Sequence, residues 1–311
     1  MTEALIKRFC LDIGLNTSYD EEIFLKRLEL YDKFFGYKKD YEVYKEETSR
    51  FSSDTEYFEY AKKVINNMID AIKGTDAYSR FTEDESLKEL NRIKLDVTKA
   101  TIYNPDNVGK LYISVDMKQA NFNVMKCYDK GMFGGADTWE EFVGKFTDLE
   151  HLKHMKHIRQ VVLGHCSSNR QGAFMKLFAN KLMNSLVDNK AIKFEDLVCT
   201  NLDEIVVRCD NDANAMDKLF AVKEVVEEKC EAVKDIPFNI ELFKLHQVKG
   251  CKGYVKLDTF NNEVLAIKCV SAVNMPFVMR ALLHEEVQEE DKYFRYEGML
   301  SKIVDVPSII I

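Results

Sequence analysis

Two short stretches of this 311-residue chain carry acids where acids are costly. In ISVDMKQANFNVM (residues 113–125), three β-prone residues run into Asp116 before a helical pattern begins with Ala120, Phe122 and Val124. A carboxylate at the end of a buried strand needs a cation or a hydrogen-bond network to receive it. A helix N-cap is the ordinary alternative, since Asp fills that position well. In DLVCTNLDEIVVRC, two apolar β-prone runs flank Asn201, Leu202, Asp203 and Glu204, which predicts a hairpin with two acids at its tip.

A third feature is electrostatic. The net charge is −8, which argues against a simple nucleic-acid coat. Yet residues 151–187 contain no acid, while holding Lys153, Lys156, Arg159, Arg170, Lys176, Lys181 and four of the six histidines. A basic island in an acidic protein suits phosphate. His151, His154, His157 and His165 make a zinc site conceivable, but no finger-like partner spacing accompanies them beyond Cys166, so a basic, titratable surface is the preferred reading. There is no P-loop and no G-x-G-x-x-G.

The elements that must position these residues follow from patterning. Residues 1–75 read as helices, with a capping box at Ser53–Glu56 and a second at Thr82–Glu85 opening ESLKELNRI. LYISVDM reads as a strand and Gln119–Tyr128 as a helix. GMFGGADTWEEFVGKF reads as a glycine loop feeding a short helix capped near Asp137 or Thr138. HLKHMKHIRQVVL suits helix throughout, or helix passing into strand. A long helix starts near Asn169. After the acid-tipped hairpin come a helix, the strand FNIELFKLH, a hairpin turning at Asn261-Asn262, and the helix MPFVMRALLHEEV. This order predicts an α+β fold, an antiparallel sheet with helices on one side. The eight scattered cysteines suit free thiols in a reducing cytosol, and no apolar run approaches a membrane span.

Strand-Asp, basic helix, Gln-Gly opening a long helix, and acid-tipped hairpin, taken in that order, resemble the palm of right-hand polymerases. Reverse transcriptases and viral RNA-dependent RNA polymerases are the most similar. The resemblance equates Asp116, with Ala120 and Phe122 following, to motif A; Gln171-Gly172 to motif B; and Asp203-Glu204 to motif C. The intervals are 55 residues from Asp116 to Gln171 and 32 from there to Asp203. Asp-Glu replaces the usual Asp-Asp, a variant shared with bacterial repair-type DNA polymerases; the short interval between motifs A and B leaves little room for their large fingers.

The resemblance implies a template-directed nucleotidyltransferase of viral or mobile-element style, acting on nucleoside triphosphates with a template and primer. It implies Mg²⁺ or Mn²⁺ held by Asp116, Asp203 and the backbone carbonyl of Met117, with Glu204 as a third catalytic acid. Nucleotide contacts are expected from Asn121, Phe122, Lys156, Arg159, Gln171, Gly172, Asn180, Lys73 and Arg80. Asn121 and Asn180 would share a ribose 2′-OH, although Asn180 also suits a plain polar helix position. The expected layout is a helical region (1–72), small fingers and palm (73–250) and a short thumb (251–311). Cytoplasmic or virion-associated placement, no membrane and room for a protein partner complete the expectation. A catalytically inactive palm serving as a nucleic-acid-binding or assembly subunit is the alternative.

Overall fold

A computed structural model describes residues 1–15, 20–86, 101–209 and 212–311. The fold is mixed α and β, built on a six-stranded antiparallel sheet in the order β2-β3-β1-β4-β5-β6. Its strands are β1 (Leu111–Met117), β2 (Leu197–Thr200), β3 (Glu204–Cys209), β4 (Phe238–Gln247), β5 (Tyr254–Asp258) and β6 (Val264–Lys268). Strand β1 is central, pairing with β3 on one side and β4 on the other. Strands β4 and β5 pair across residue 250, so the expected C-terminal hairpin extends the same sheet.

Among the described residues, five helices precede the sheet: α1 (Glu3–Ile13), α2 (Glu21–Phe35), α3 (Tyr37–Thr48), α4 (Asp54–Lys73) and α5 (Asp76–Glu83). Ser53 caps α4 as its sequence predicts, accepting from the Glu56 amide. The second expected capping box is overturned. Thr82 lies in the last turn of α5, its hydroxyl donating back to the Ser79 carbonyl, because Thr75 has already capped that helix. Most of ESLKELNRI falls outside the described residues.

Between β1 and β2 lie α6 (Ala120–Tyr128), α7 (Trp139–Val143), α8 (Glu150–His154), α9 (Lys156–Gly164) and α10 (Ser168–Asp188). Thr138 caps α7. HLKHMKHIRQVVL becomes two helices, since Met155 takes an extended conformation between them. Helix α11 (Asp212–Glu224) joins β3 to β4, α12 (Met275–Leu282) follows β6, and a separate hairpin, β7 (Tyr293–Tyr296) with β8 (Met299–Lys302), precedes a final segment that bridges back to Lys249 at Ile310.

Alternation along β1 divides the sheet's faces. Ile113, Val115 and Met117 enter the main core with helices α1–α11, which covers Phe122, Trp139, Phe178 and Leu182. Tyr112 faces the other way, into a smaller cluster with Ile102, Val206, Phe243 and Leu245. Ser114 and Asp116 share this second face. Among the described residues, no helix is long and apolar enough to cross a membrane.

Candidate acidic site on the second sheet face

The register places Asp116 directly opposite Glu204 on β3 and Asn239 on β4. Residues opposite one another across antiparallel strands project to the same face. The same rule puts Ser114 opposite Glu241, so three acids from three strands share one surface. Asp203 joins them at the β2–β3 turn, where the Met117 amide donates to the Asp203 carbonyl at 2.8 Å. That bond anchors the turn beside the end of β1. Asp116 and Asp203, distant along the chain, are thereby neighbours in the fold.

Asp116 is half-buried and has no side-chain hydrogen-bond partner among the described residues. Burial pushes its carboxyl up to about 6; Asp203 and Glu204 push in the same direction, Lys256 opposes them, and Glu241 adds a smaller upward push. The carboxylate is therefore left in an environment that asks for positive charge. It does not serve as an N-cap: helix α6 has Gln119 at that position, in the left-handed region with φ 47°.

Glu204 has a different environment, and the expectation of a second acid at the turn is corrected. It is the first residue of β3, not a tip residue. Its Oε1 accepts from Ser114 Oγ at 2.6 Å and from Lys256 Nζ at 2.9 Å. Burial works to raise its pKa, but Lys256 and Ser114 outweigh that and hold the carboxyl below its ordinary value. Lys256 is itself buried, with Nζ 4.5 Å from the centroid of the Phe243 ring.

The Gln171-Gly172 pair comes to the same corner, though not in the role expected of Gln171. A Cβ at Gly172 would lie 3.8 Å from Leu202 Cδ1, so the start of α10 packs on the acid-bearing turn. Gln171 is buried, and its Nε2 donates to the carbonyls of Leu163 and Cys166 at 2.8 and 2.6 Å. It braces the α9–α10 junction, leaving no face for a template or nucleotide. Phe122 is likewise a core residue, 4.6 Å between ring centroids from Phe133 and 6.1 Å from Trp139. Met117 buries its side chain in the main core.

Asn121 on α6 and Asn180 on α10 are each half-buried on helices that pack together, and no hydrogen bond joins them among the described residues. Of the basic candidates, Arg159 on α9 has a link to the segment that follows Asp116. It is half-buried beside Glu140, which accepts from Gln119 Nε2 at 2.8 Å, three residues after Asp116. Burial pulls the Arg159 pKa down, with Glu140 opposing. Lys156 lines a cavity of about 630 Å³ with Phe9, Tyr37 and Val43 of the N-terminal helices. Lys73 is exposed at the end of α4, and Arg80 pairs with Asp129 at 2.5 Å.

The histidines do not form one surface. His151 is buried, Nδ1 2.5 Å from Glu47 Oε2 and Nε2 2.9 Å from the Tyr57 hydroxyl, and burial lowers its pKa against the pull of Glu47. His154 and His165 are exposed. Among the described residues, no three His, Cys, Asp or Glu side chains are gathered as a ready chelate.

Sequence reasoning missed Ser114, Glu241 and Lys256. The first had a local signal, since Ser114 stands two residues before Asp116 and must share its face. Glu241 and Lys256 arrive from β4 and β5, and only the strand register reveals them. No protein-family model, curated protein or solved structure shows significant similarity to the chain.

Proposed function

We propose that this chain is a template-directed nucleotidyltransferase with a polymerase-like palm. The observation that carries the reading is the meeting of Asp116, at the end of the central strand, with Asp203, in the turn of the adjoining hairpin, under a glycine at the start of the long helix. The linkage of β1, helices, β2–β3 hairpin, α11 and β4 into one antiparallel sheet supports it.

The donor set fits divalent cations at two of its three expected acids. Asp116 has a raised pKa and no partner among the described residues, and Asp203 is exposed beside it. Hard cations such as Mg²⁺ and Mn²⁺ favour such carboxylate oxygens. Glu204 fits less well, because Lys256 and Ser114 already engage its Oε1. When bound, a divalent cation would lower the charge between an attacking 3′ hydroxyl and a nucleotide's phosphates. In the transfer itself, the primer's 3′ hydroxyl gives up its proton to solvent and its oxygen bonds to the α-phosphorus of a nucleoside triphosphate. The bond to the pyrophosphate oxygen breaks, and pyrophosphate departs. On this reading Asp116 and Asp203 would hold the cation, Arg159 would neutralise phosphate charge, Asn121 and Asn180 would read a sugar hydroxyl, and Gly172 keeps the start of the long helix close to the acid-bearing turn.

Primer extension by the full chain, with Mg²⁺ or Mn²⁺, RNA or DNA templates and both nucleotide sets, tests this reading. Extension that disappears in Asp116→Ala and in Asp203→Ala is the expected result. No extension on any template overturns it. If nucleic acid is still bound, the result favours the second reading, an inactive palm acting as a binding or assembly subunit. The capture of Glu204 by Lys256 is the observation on that side.

A further inference from the structure

We propose that the cavity between α1, α3 and the α8–α9 junction binds a small organic amine, with its ammonium at Asp12 and an apolar body against Phe9, Val43 and Met155. The cavity measures about 630 Å³, inside the range of ~300–1,000 Å³ usual for small-molecule sites. Among the described residues its lining contains none from the sheet, so it stands apart from the acidic face.

Asp12 supplies the recognition. Phe9, Asp12 and Ile13 stand at i, i+3 and i+4 on α1, on one face of the helix, and all three line the cavity. The Asp12 side chain is fully buried. Arg8 Nε donates to its Oδ2 at 3.0 Å, but Oδ1 has no hydrogen-bond partner among the described residues. A buried polar atom left in that state is costly. Burial lifts the carboxyl to about 6 although Arg8 pulls it down, so at pH 7.5 it is an anion that one guanidinium has not fully compensated. Asp12 also lies in the last turn of α1, which holds no basic residue. The carbonyls of a helix's final turn carry partial negative charge, which favours a cation beside them and disfavours an acid. Asp12 therefore burdens the helix that carries it, and a ligand cation relieves that burden.

The rest of the lining does not compete with that acid. Lys39 and Lys156 are exposed, and so are Asp40 and Glu150. These opposing charges offset one another and are screened by water, whereas a buried charge is screened much less. His151 also lines the cavity, but Glu47 and the Tyr57 hydroxyl already engage its two ring nitrogens. The charge left to select a ligand is that of Asp12. A primary ammonium brings both the donor and the positive charge that Oδ1 lacks. Phe9, Val43 and Met155 then give an apolar body somewhere to leave water.

The test is a calorimetric titration of the full-length chain at pH 7.5 with two probes. One is tryptamine; the other is indole-3-propionate, which has the same ring and a carboxylate in place of the amine. Tryptamine is expected to bind one-to-one with Kd below about 1 mM, and indole-3-propionate about tenfold more weakly or worse. Asp12→Asn keeps the shape, removes the charge and is expected to weaken tryptamine by about tenfold or more. Val43→Trp, at a half-buried wall position on α3, is expected to do the same by filling the cavity. Should Asp12→Asn fail to fold, Val43→Trp and the comparison of the two probes carry the test.

No tryptamine binding, or equal binding of the two probes, overturns the proposal. So does a folded Asp12→Asn or Val43→Trp whose affinity for tryptamine is unchanged. Loss of tryptamine binding in Asp116→Asn also overturns it, because the amine then belongs to the acidic face. None of these outcomes depends on whether the chain extends a primer.

Discussion

Asp116 and Glu204 stand directly opposite one another on β1 and β3, yet a lysine and a serine satisfy Glu204 while Asp116 has no such partner among the described residues. One register position thus holds a settled carboxylate and an unsettled one. The difference comes from two side chains, Ser114 two residues before Asp116 and Lys256 from β5. It separates an acid engaged by neighbouring side chains from one that is not.

The unsettled acid should be visible in stability against pH. The Asp116 carboxyl is pushed up to about 6 from an ordinary 3.8, so the native state keeps its proton to higher pH than the unfolded chain does. The penalty of ionising it is absent below pH 3.8, grows through pH 6 and is complete above that. Asp116→Asn is neutral throughout. It should be more stable than wild type by about 1–2 kcal/mol at pH 8, a figure reduced for its partial exposure, with little difference at pH 4. Urea unfolding at the two pH values measures this; an equal effect at both, or a loss at pH 8, contradicts it.

Gln171 is predicted to act through structure. Gln171→Leu leaves the Leu163 and Cys166 carbonyls without their buried donor, at a cost of about 1–3 kcal/mol. Amide hydrogen exchange should quicken across residues 163–170. A variant with unchanged stability and exchange, but impaired template binding, would restore the role read from sequence.

His151 should make the protein acid-sensitive. Burial lowers its pKa below 6.5, against the pull of Glu47, so the unfolded chain takes the proton first and stability falls as pH drops below 6.5. His151→Asn, less stable at pH 7, should lose less than wild type between pH 7 and pH 5. Asp12, whose carboxyl burial lifts to about 6, acts in the opposite direction, but it is common to both proteins. Parallel losses in the two proteins would contradict the assignment.

Local chemistry made much of this structure legible. Asp116 was readable because a strand of alternating register ends on it, and the hairpin because apolar runs flank a polar turn. Ser53 announced α4 by its capping pattern. What failed was non-local or depended on neighbours. Asp203-Glu204 looks like one acidic tip, but pairing with β1 draws Glu204 into the strand. HLKHMKHIRQVVL suits one helix or a helix passing into strand, whereas extended Met155 divides it and leaves His151 and His157 on separate helices. The resemblance assigned Gln171 and Phe122 to nucleotide contacts, and only packing shows both to be buried. Lys256 has no local signal at all.

The central claim is that Asp116 and Asp203 hold a cation together, and Mn²⁺ affinity in a double-mutant cycle tests it most directly. Asp116→Asn and Asp203→Asn should each weaken Mn²⁺ binding by about tenfold or more, and the two combined should add little beyond either alone. Two losses that simply add, or binding that neither substitution changes, would show that the two carboxylates do not share an ion.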